Sequence, residues 1–336
     1  MQALRSWVAA GAAHVGGTFA PTSPYGAPAL GGALMFALGW FAWRRFKRGR
    51  PIRVRAFVRA MFPRRILRHP SSGVDLGLWT LNTIVFASGY VLLALGAFFW
   101  RDRALAALTG AFGAHGALGA LGVKPGLALL VSTVAELLAY EFAYWGAHYA
   151  FHRIPALWEF HKVHHSAEVM TTLTEMRQHP IEIIAFMNAI SLATGLVFGL
   201  MTYLFGPGTG HLTLLNGNIA LTLFMLTWGH LRHSHLWIPV QGLAGKLLQS
   251  PAHHQVHHST DPRHFDKNLG FALAVWDWAF GTLHIPASEP EVAHFGVGED
   301  YEDYATVARA LGRPFAKASA ALRQETAPIA GDVRSP

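Results

Sequence analysis

The 336-residue chain has no cysteine. Disulfides, thiolate-bound metals and iron–sulfur clusters are therefore excluded, and histidine is left as the only soft-to-borderline metal ligand. Charge is scarce: Asp, Glu, Lys and Arg make up 14% of residues, against ~25% in a soluble domain. Hydrophobic residues reach 52% and the mean hydropathy is +0.27, which reads as a membrane protein. There is no Gly-rich dinucleotide fingerprint and no HExxH motif, so neither a nicotinamide-binding unit nor a zinc hydrolase of that type is encoded. The apolar runs also lack the mid-span His and acidic residues of a membrane metal carrier. The exceptions, Glu136, Glu141, Glu182 and His230, lie toward the ends of runs.

The net charge is +8, which raises nucleic acid as a partner, but its distribution argues against that. Eleven Lys or Arg and no acid lie between Arg44 and Arg68, directly after an apolar run. This is the positive-inside signature of a cytoplasmic loop, suited to anionic lipid headgroups. A spanning helix needs ~20 mostly apolar residues, and the runs at about 28–45, 77–100, 125–145, 182–205 and 212–231 qualify. The last two form an expected antiparallel hairpin about the Gly206–Gly210 turn, while the Ala/Gly-rich 104–121 stretch reads either as a re-entrant piece or as half of a kinked span. The expected fold is an all-α integral membrane bundle of four or five spans with a helical cytoplasmic cap. The divisions are a lead over 1–27 without a clean signal-peptide core, membrane helices over 28–134 with a basic loop at 44–75, a catalytic region over 135–285, and a cytoplasmic tail over 286–336. With Arg44–Arg68 inside, every histidine cluster falls on the cytoplasmic face, of a bacterial inner membrane if the Ala, Gly and Arg usage is bacterial.

Fourteen of the twenty histidines lie between His148 and His258. They fall into sets: His148 and His152; His161, His164 and His165; His254, His257 and His258. On a helix, residues three and four apart share a face, so each set is expected to present its imidazoles to one point. Eight imidazoles exceed what one ion uses, since zinc sites close at four ligands, and they predict two ions side by side. The HKVHHS and HQVHHS sequences are near copies about ninety residues apart, unlike the irregular His-rich tracts of transport loops. His230 is one turn before His233. His179 precedes Pro180 and stands evenly between ligand and supporting roles. His253 points away from its neighbours on a helix, and the remaining histidines, His264, His284 and His294 among them, receive no chemistry. Glu159, Glu168, Asp261 and Asp277 are expected to hold imidazole N–H groups.

These boxes, with Pro155-Ala156-Leu157-Trp158-Glu159-Phe160, Arg177-Gln178-His179-Pro180, Asn268-Leu269-Gly270, Trp276-Asp277 and Phe280-Gly281-Thr282, resemble the fatty acid hydroxylase / sterol desaturase superfamily of membrane di-iron enzymes over about residues 135–285. The resemblance supplies His233-Ser234-His235 as the position of a further histidine. Its departures are Tyr149 and Trp278 where arginine is usual, and Glu141 where aspartate is. It implies a metal set of His148, His152, His161, His164, His165, His233, His254, His257 and His258, with His230, His179 and His235 as further candidates. It also implies two iron ions, O2 as co-substrate, a lipid substrate entering from the bilayer, and electrons from a separate NAD(P)H-linked reductase or ferredoxin-type donor. Hydroxylation and desaturation share this motif spacing, and hydroxylation is the broader outcome. The competing expectation is a non-catalytic His-rich membrane metal-binding or transport protein.

Overall fold

The computed structural model describes residue 20 and residues 26–87, 93–114, 116, 118 and 122–326. Most of the 1–27 lead and the end of the tail lie outside the described residues. Among those described, the principal helices are α1 (Ala27–Lys47), α2 (Val54–Met61), α3 (Pro70–Ala87), α4 (Ala97–Phe112), α5 (Pro125–Arg153), α6 (Pro155–His165), α7 (Pro180–Phe205), α8 (Ile219–Thr227), α9 (Pro251–His257), α10 (Val275–Phe280) and α11 (Val307–Thr326).

Proline sets the helix starts around the site. It occupies the first turn of α5, α6, α7 and α9, where its missing N–H costs nothing and its φ is already helical. The residue before proline is pushed out of the helical region, and Ile154 obeys: at φ −99°, ψ 112° it ends α5 and launches α6 in a new direction. Five histidines on these two helices are thereby folded back onto one another.

Two described helices, α5 and α7, are long and apolar enough to cross a membrane. At 1.5 Å per residue, their 29 and 26 residues outrun a hydrocarbon core of ~30 Å. They pack together and α7 also packs along α4. Gly195 and Gly199 make that second contact possible. A Cβ on Gly195 would run into the Ala97 carbonyl, and one on Gly199 would lie 2.7 Å from the Arg101 carbonyl, the small-xxx-small device of membrane helices.

The expected spans are redrawn in two places. The 77–100 run is not one helix: Gly96, extended at φ −69°, ψ 155°, interrupts it and caps the start of α4. The 104–121 stretch therefore belongs in part to α4. The 212–231 arm is not a long helix either. It opens with a hairpin pairing Thr213 with Asn218 and Leu214 with Gly217, and α8 supplies only nine helical residues. Leu215 and Asn216 both take positive φ, 51° and 62°, as a two-residue turn of the type that closes hairpins requires. Among the described residues the fold is thus helical with one small two-stranded hairpin.

Arg177 lies fully buried and joins the end of α6 to the start of α3. It donates to the Val163 carbonyl at 2.9 Å, to Ser166 Oγ at 2.8 Å, to the Ser71 carbonyl at 3.1 Å and to Asp75 Oδ1 at 2.9 Å. Asp75 also accepts from Thr171 and Thr174. Breaking a buried ion pair by removing one partner costs ~3–5 kcal/mol, so this pair fastens α3 to the histidine helices.

Candidate metal centre

The nine histidines come together as two groups whose candidate ligand nitrogens lie within 4.8 Å of one another. One group holds His148, His152, His161, His165 and His257; the other holds His164, His233, His254 and His258. The rings of His165 and His258 stack at 4.4 Å, so the groups share a wall. The expectation that each set serves a single point is corrected. Residues i and i+4 lie about 40° apart around a helix while i+3 falls about 60° to the other side. His161 and His165 therefore serve the first group and His164 the second, whereas His254 and His258 serve the second and His257 the first.

Five of the nine rings are oriented from behind. Nδ1 of His148 donates to the Leu269 carbonyl at 2.7 Å, that of His257 to the Lys267 carbonyl at 2.9 Å, and that of His164 to the Arg177 carbonyl at 3.3 Å. A carbonyl only accepts, so these Nδ1 atoms carry the hydrogen and Nε2 presents a bare lone pair. His161 Nδ1 meets Glu182 Oε1 at 2.8 Å, and His152 Nδ1 meets Asp266 Oδ1 at 3.3 Å. Burial holds the His164 imidazole neutral by lowering its pKa to about 3. Burial likewise pushes His161, His165, His233, His254, His257 and His258 well below the usual histidine range.

The interior faces of these rings do not satisfy one another. In the second group, Nε2 atoms approach in a chain: His164 to His233 at 3.1 Å, His233 to His254 at 2.6 Å, and His254 to His258 at 3.2 Å. An Nε2 that donates has no lone pair left to accept with, so a chain of three such contacts cannot be three hydrogen bonds. In the first group, the buried Nε2 atoms of His152, His165 and His257 have no partner. Unsatisfied buried polar atoms of this kind cost ~1–3 kcal/mol each. Convergent lone pairs of neutral imidazoles fit a pair of transition-metal ions.

The surrounding carboxylates differ from expectation. Glu182, Asp266 and, at 3.9 Å from His233 Nδ1, Glu175 face the imidazoles. Glu159 instead binds Lys162 and Tyr304, Asp261 binds Arg263, and Glu168 lies by Tyr301. Asp277 acts through the backbone: it accepts from Leu269 N and Gly270 N, both at 2.9 Å, from Gln249 at 2.7 Å and from Thr282 at 2.6 Å. It thereby fixes the Leu269 carbonyl that His148 uses. Glu141 accepts from Ala272 N at 3.0 Å and Leu273 N at 3.1 Å, anchoring the same strap to α5.

The three further candidates lie outside both groups. His179 caps α7, accepting from Ile181 N at 3.1 Å through Nδ1 and reaching the Leu311 carbonyl through Nε2. His235 donates to the Ala60 carbonyl at 2.6 Å. His230 is buried in the 229–231 turn. His253 turns away to Ser250 and the Gly245 carbonyl.

Two cavities reach the histidines. One of about 240 Å³ is walled by Tyr140 and Tyr144 of α5 and Ile183, Phe186, Met187 and Ile190 of α7, with His161, His164 and His233 also lining it. The other, about 570 Å³, reaches His152, His165 and His257 past Trp158, Lys162, Phe265 and Asp300.

Residues 133–282 match the fatty acid hydroxylase family. The chain is 28% identical over 149 residues to alkylglycerol monooxygenase of Homo sapiens, 26% over 152 residues to that of Xenopus tropicalis, and 28% over 143 residues to that of Caenorhabditis elegans. These matches take in 43–45% of this chain but only 25–30% of the length of those curated relatives. No solved structure matches.

Proposed function

We propose, on the match of residues 133–282 to the fatty acid hydroxylase family, that the chain is a membrane-bound oxidoreductase that hydroxylates a lipid with O2. The convergence of nine neutral imidazoles with unsatisfied inward nitrogens carries this reading. The nine histidines named above are its proposed metal ligands, divided five and four, and two iron ions are the proposed cofactor. Bound iron would supply the reduction of O2 that puts oxygen into an unactivated C–H bond, with electrons from a separate reductase or ferredoxin-type donor.

The protein's own part is positioning and exclusion of water. The Nδ1 hydrogen bonds fix the rings of His148, His152, His161, His164 and His257, and burial keeps protons off the nitrogens that must bind metal. The α5–α7 cavity is walled by Tyr140, Tyr144, Phe186 and Phe271 in edge-to-face contacts, with Tyr144–Phe271 centroids at 5.1 Å and Tyr144–Phe186 at 5.2 Å. An alkyl chain entering between these rings would meet His161 and His164. The relatives make an alkylglycerol the first substrate to test. The site lies at one end of α5 and α7, and the Arg44–Arg68 loop supports a cytoplasmic placement.

Protein in lipid nanodiscs, loaded with ferrous iron and supplied with a ferredoxin–reductase couple, is expected to hold two ions per chain. It should add one oxygen atom to an alkylglycerol, read by mass spectrometry. Overexpressed protein is expected to carry zinc in place of iron, since the Irving–Williams order favours zinc, and to be inactive until exchanged. Iron-loaded protein that consumes no O2 with alkylglycerols, sterols or fatty acids would leave the metal-carrier reading standing instead.

A further inference from the structure

We infer that His264, His284 and Glu291 form a third metal site, separate from the two histidine groups, that takes a divalent cation of zinc's borderline character. One ring nitrogen from each histidine and one carboxylate oxygen of Glu291 lie within 4.8 Å of one another. His284 Nε2 stands 3.3 Å from Glu291 Oε1. Two ligands at ~2.1 Å from a tetrahedral zinc stand ~3.4 Å apart, so that edge already has the required length. The rings of His264 and His284 lie 4.8 Å apart at 70°.

An ordinary His284–Glu291 hydrogen bond would account for two of the three groups but not for His264. That side chain is 1% exposed, and its buried Nδ1 has no hydrogen-bond partner. The nearby cation does not fill the place, because Arg263 turns to Asp261 at 2.6 Å and is largely exposed. Both histidines are held by backbone rather than by each other. His264 sits in the 262–264 turn capped by Asp261. The backbone of His284 exchanges two bonds with the Asn268 side chain, at 2.8 and 2.9 Å. Two imidazoles and one carboxylate with a fourth position for water is a recognised zinc set.

The cation would tie the 261–266 loop to the 284–291 segment. That loop carries Asp266, whose carboxylate faces His152, so the site would act as a brace behind the first histidine group rather than as part of it.

Full-length protein in nanodiscs, stripped of metal and titrated with zinc alone, tests this by metal content after dialysis. His284→Ala is expected to hold one zinc fewer per chain than wild type. Glu291→Gln keeps both imidazoles and changes a partly exposed side chain, so its fold is secure. It is expected to bind that same zinc at least tenfold more weakly. The comparison is a difference from wild type and does not depend on what the nine other histidines bind. Equal zinc content and equal affinity in Glu291→Gln and wild type would overturn the site, whether or not His284→Ala folds.

Discussion

The two HxxHH boxes are near copies in sequence, yet they feed the two imidazole groups in opposite proportions. His161 and His165 go with the five-member group and send His164 across; His254 and His258 go with the four-member group and send His257 across. The exchange is a property of helix geometry, because i+3 leaves the line joining i and i+4. Neither helix owns a group, so a small rotation of α6 or α9 disturbs both. The groups differ in what they add: His148 and His152 for one, His233 alone for the other.

The crossing residues give the strongest test. His164→Ala or His257→Ala is expected to remove turnover to background and lower metal content, while α5 and α7 still insert, since insertion depends on hydropathy and flanking charge. Full lipid oxidation by either variant would end the proposed ligand assignment. Next comes the imbalance in number. His233→Ala leaves three imidazoles and is expected to lose an ion, whereas His152→Ala leaves four in its group and should retain two ions with reduced activity. Equal metal loss in the two would erase the distinction between the groups. Smaller again are the supports. Glu182→Gln and Asp277→Asn are expected to cost ~10–100-fold in metal affinity or activity, measured by competition with a chelator and by product formation.

The metal-free protein should also reveal the groups through pH. His164 stays neutral down to about 3 in the fold, while an unfolded histidine takes its proton near 6.5. Below the unfolded value the unfolded chain binds the extra proton, so stability is present above that pH and falls as pH drops toward the folded pKa. The loss is up to ~1.4 kcal/mol per pH unit for each such histidine. Melting followed from pH 7 to pH 5 is expected to show a steep decline, shallower in a variant with His164 and His254 replaced by glutamine. The smallest effect is reserved for His179→Ala, which removes a helix cap worth ~1 kcal/mol and should leave metal content at the wild-type level.

Much of the centre was legible because it is local. The spacing of His148 with His152, and of the two boxes, is written within single helices, and Ile154-Pro155 and His179-Pro180 mark where those helices begin. What was hidden depends on contacts across the chain. Glu182 and Asp266 reach histidines 21 and 114 positions away, and no spacing rule connects them. His264 and His284 are twenty positions apart and meet where Asn268 and Lys267 draw the two segments together. Hydropathy also misjudged 77–100 and 212–231, since it counts apolar residues and does not register the extended backbone at Gly96 or the positive φ at Leu215 and Asn216.

The smaller cavity takes its apolar wall from α5 and α7, the two helices among the described residues that are long and apolar enough to cross a membrane. A ligand drawn from between such helices is met at a concentration fixed by its mole fraction among the surrounding lipids, not by its amount per volume of buffer. Adding inert detergent should therefore slow the reaction at constant total substrate, and saturation should be reached along the axis of surface dilution. On the proposed function, the composition of the bilayer is itself a kinetic variable.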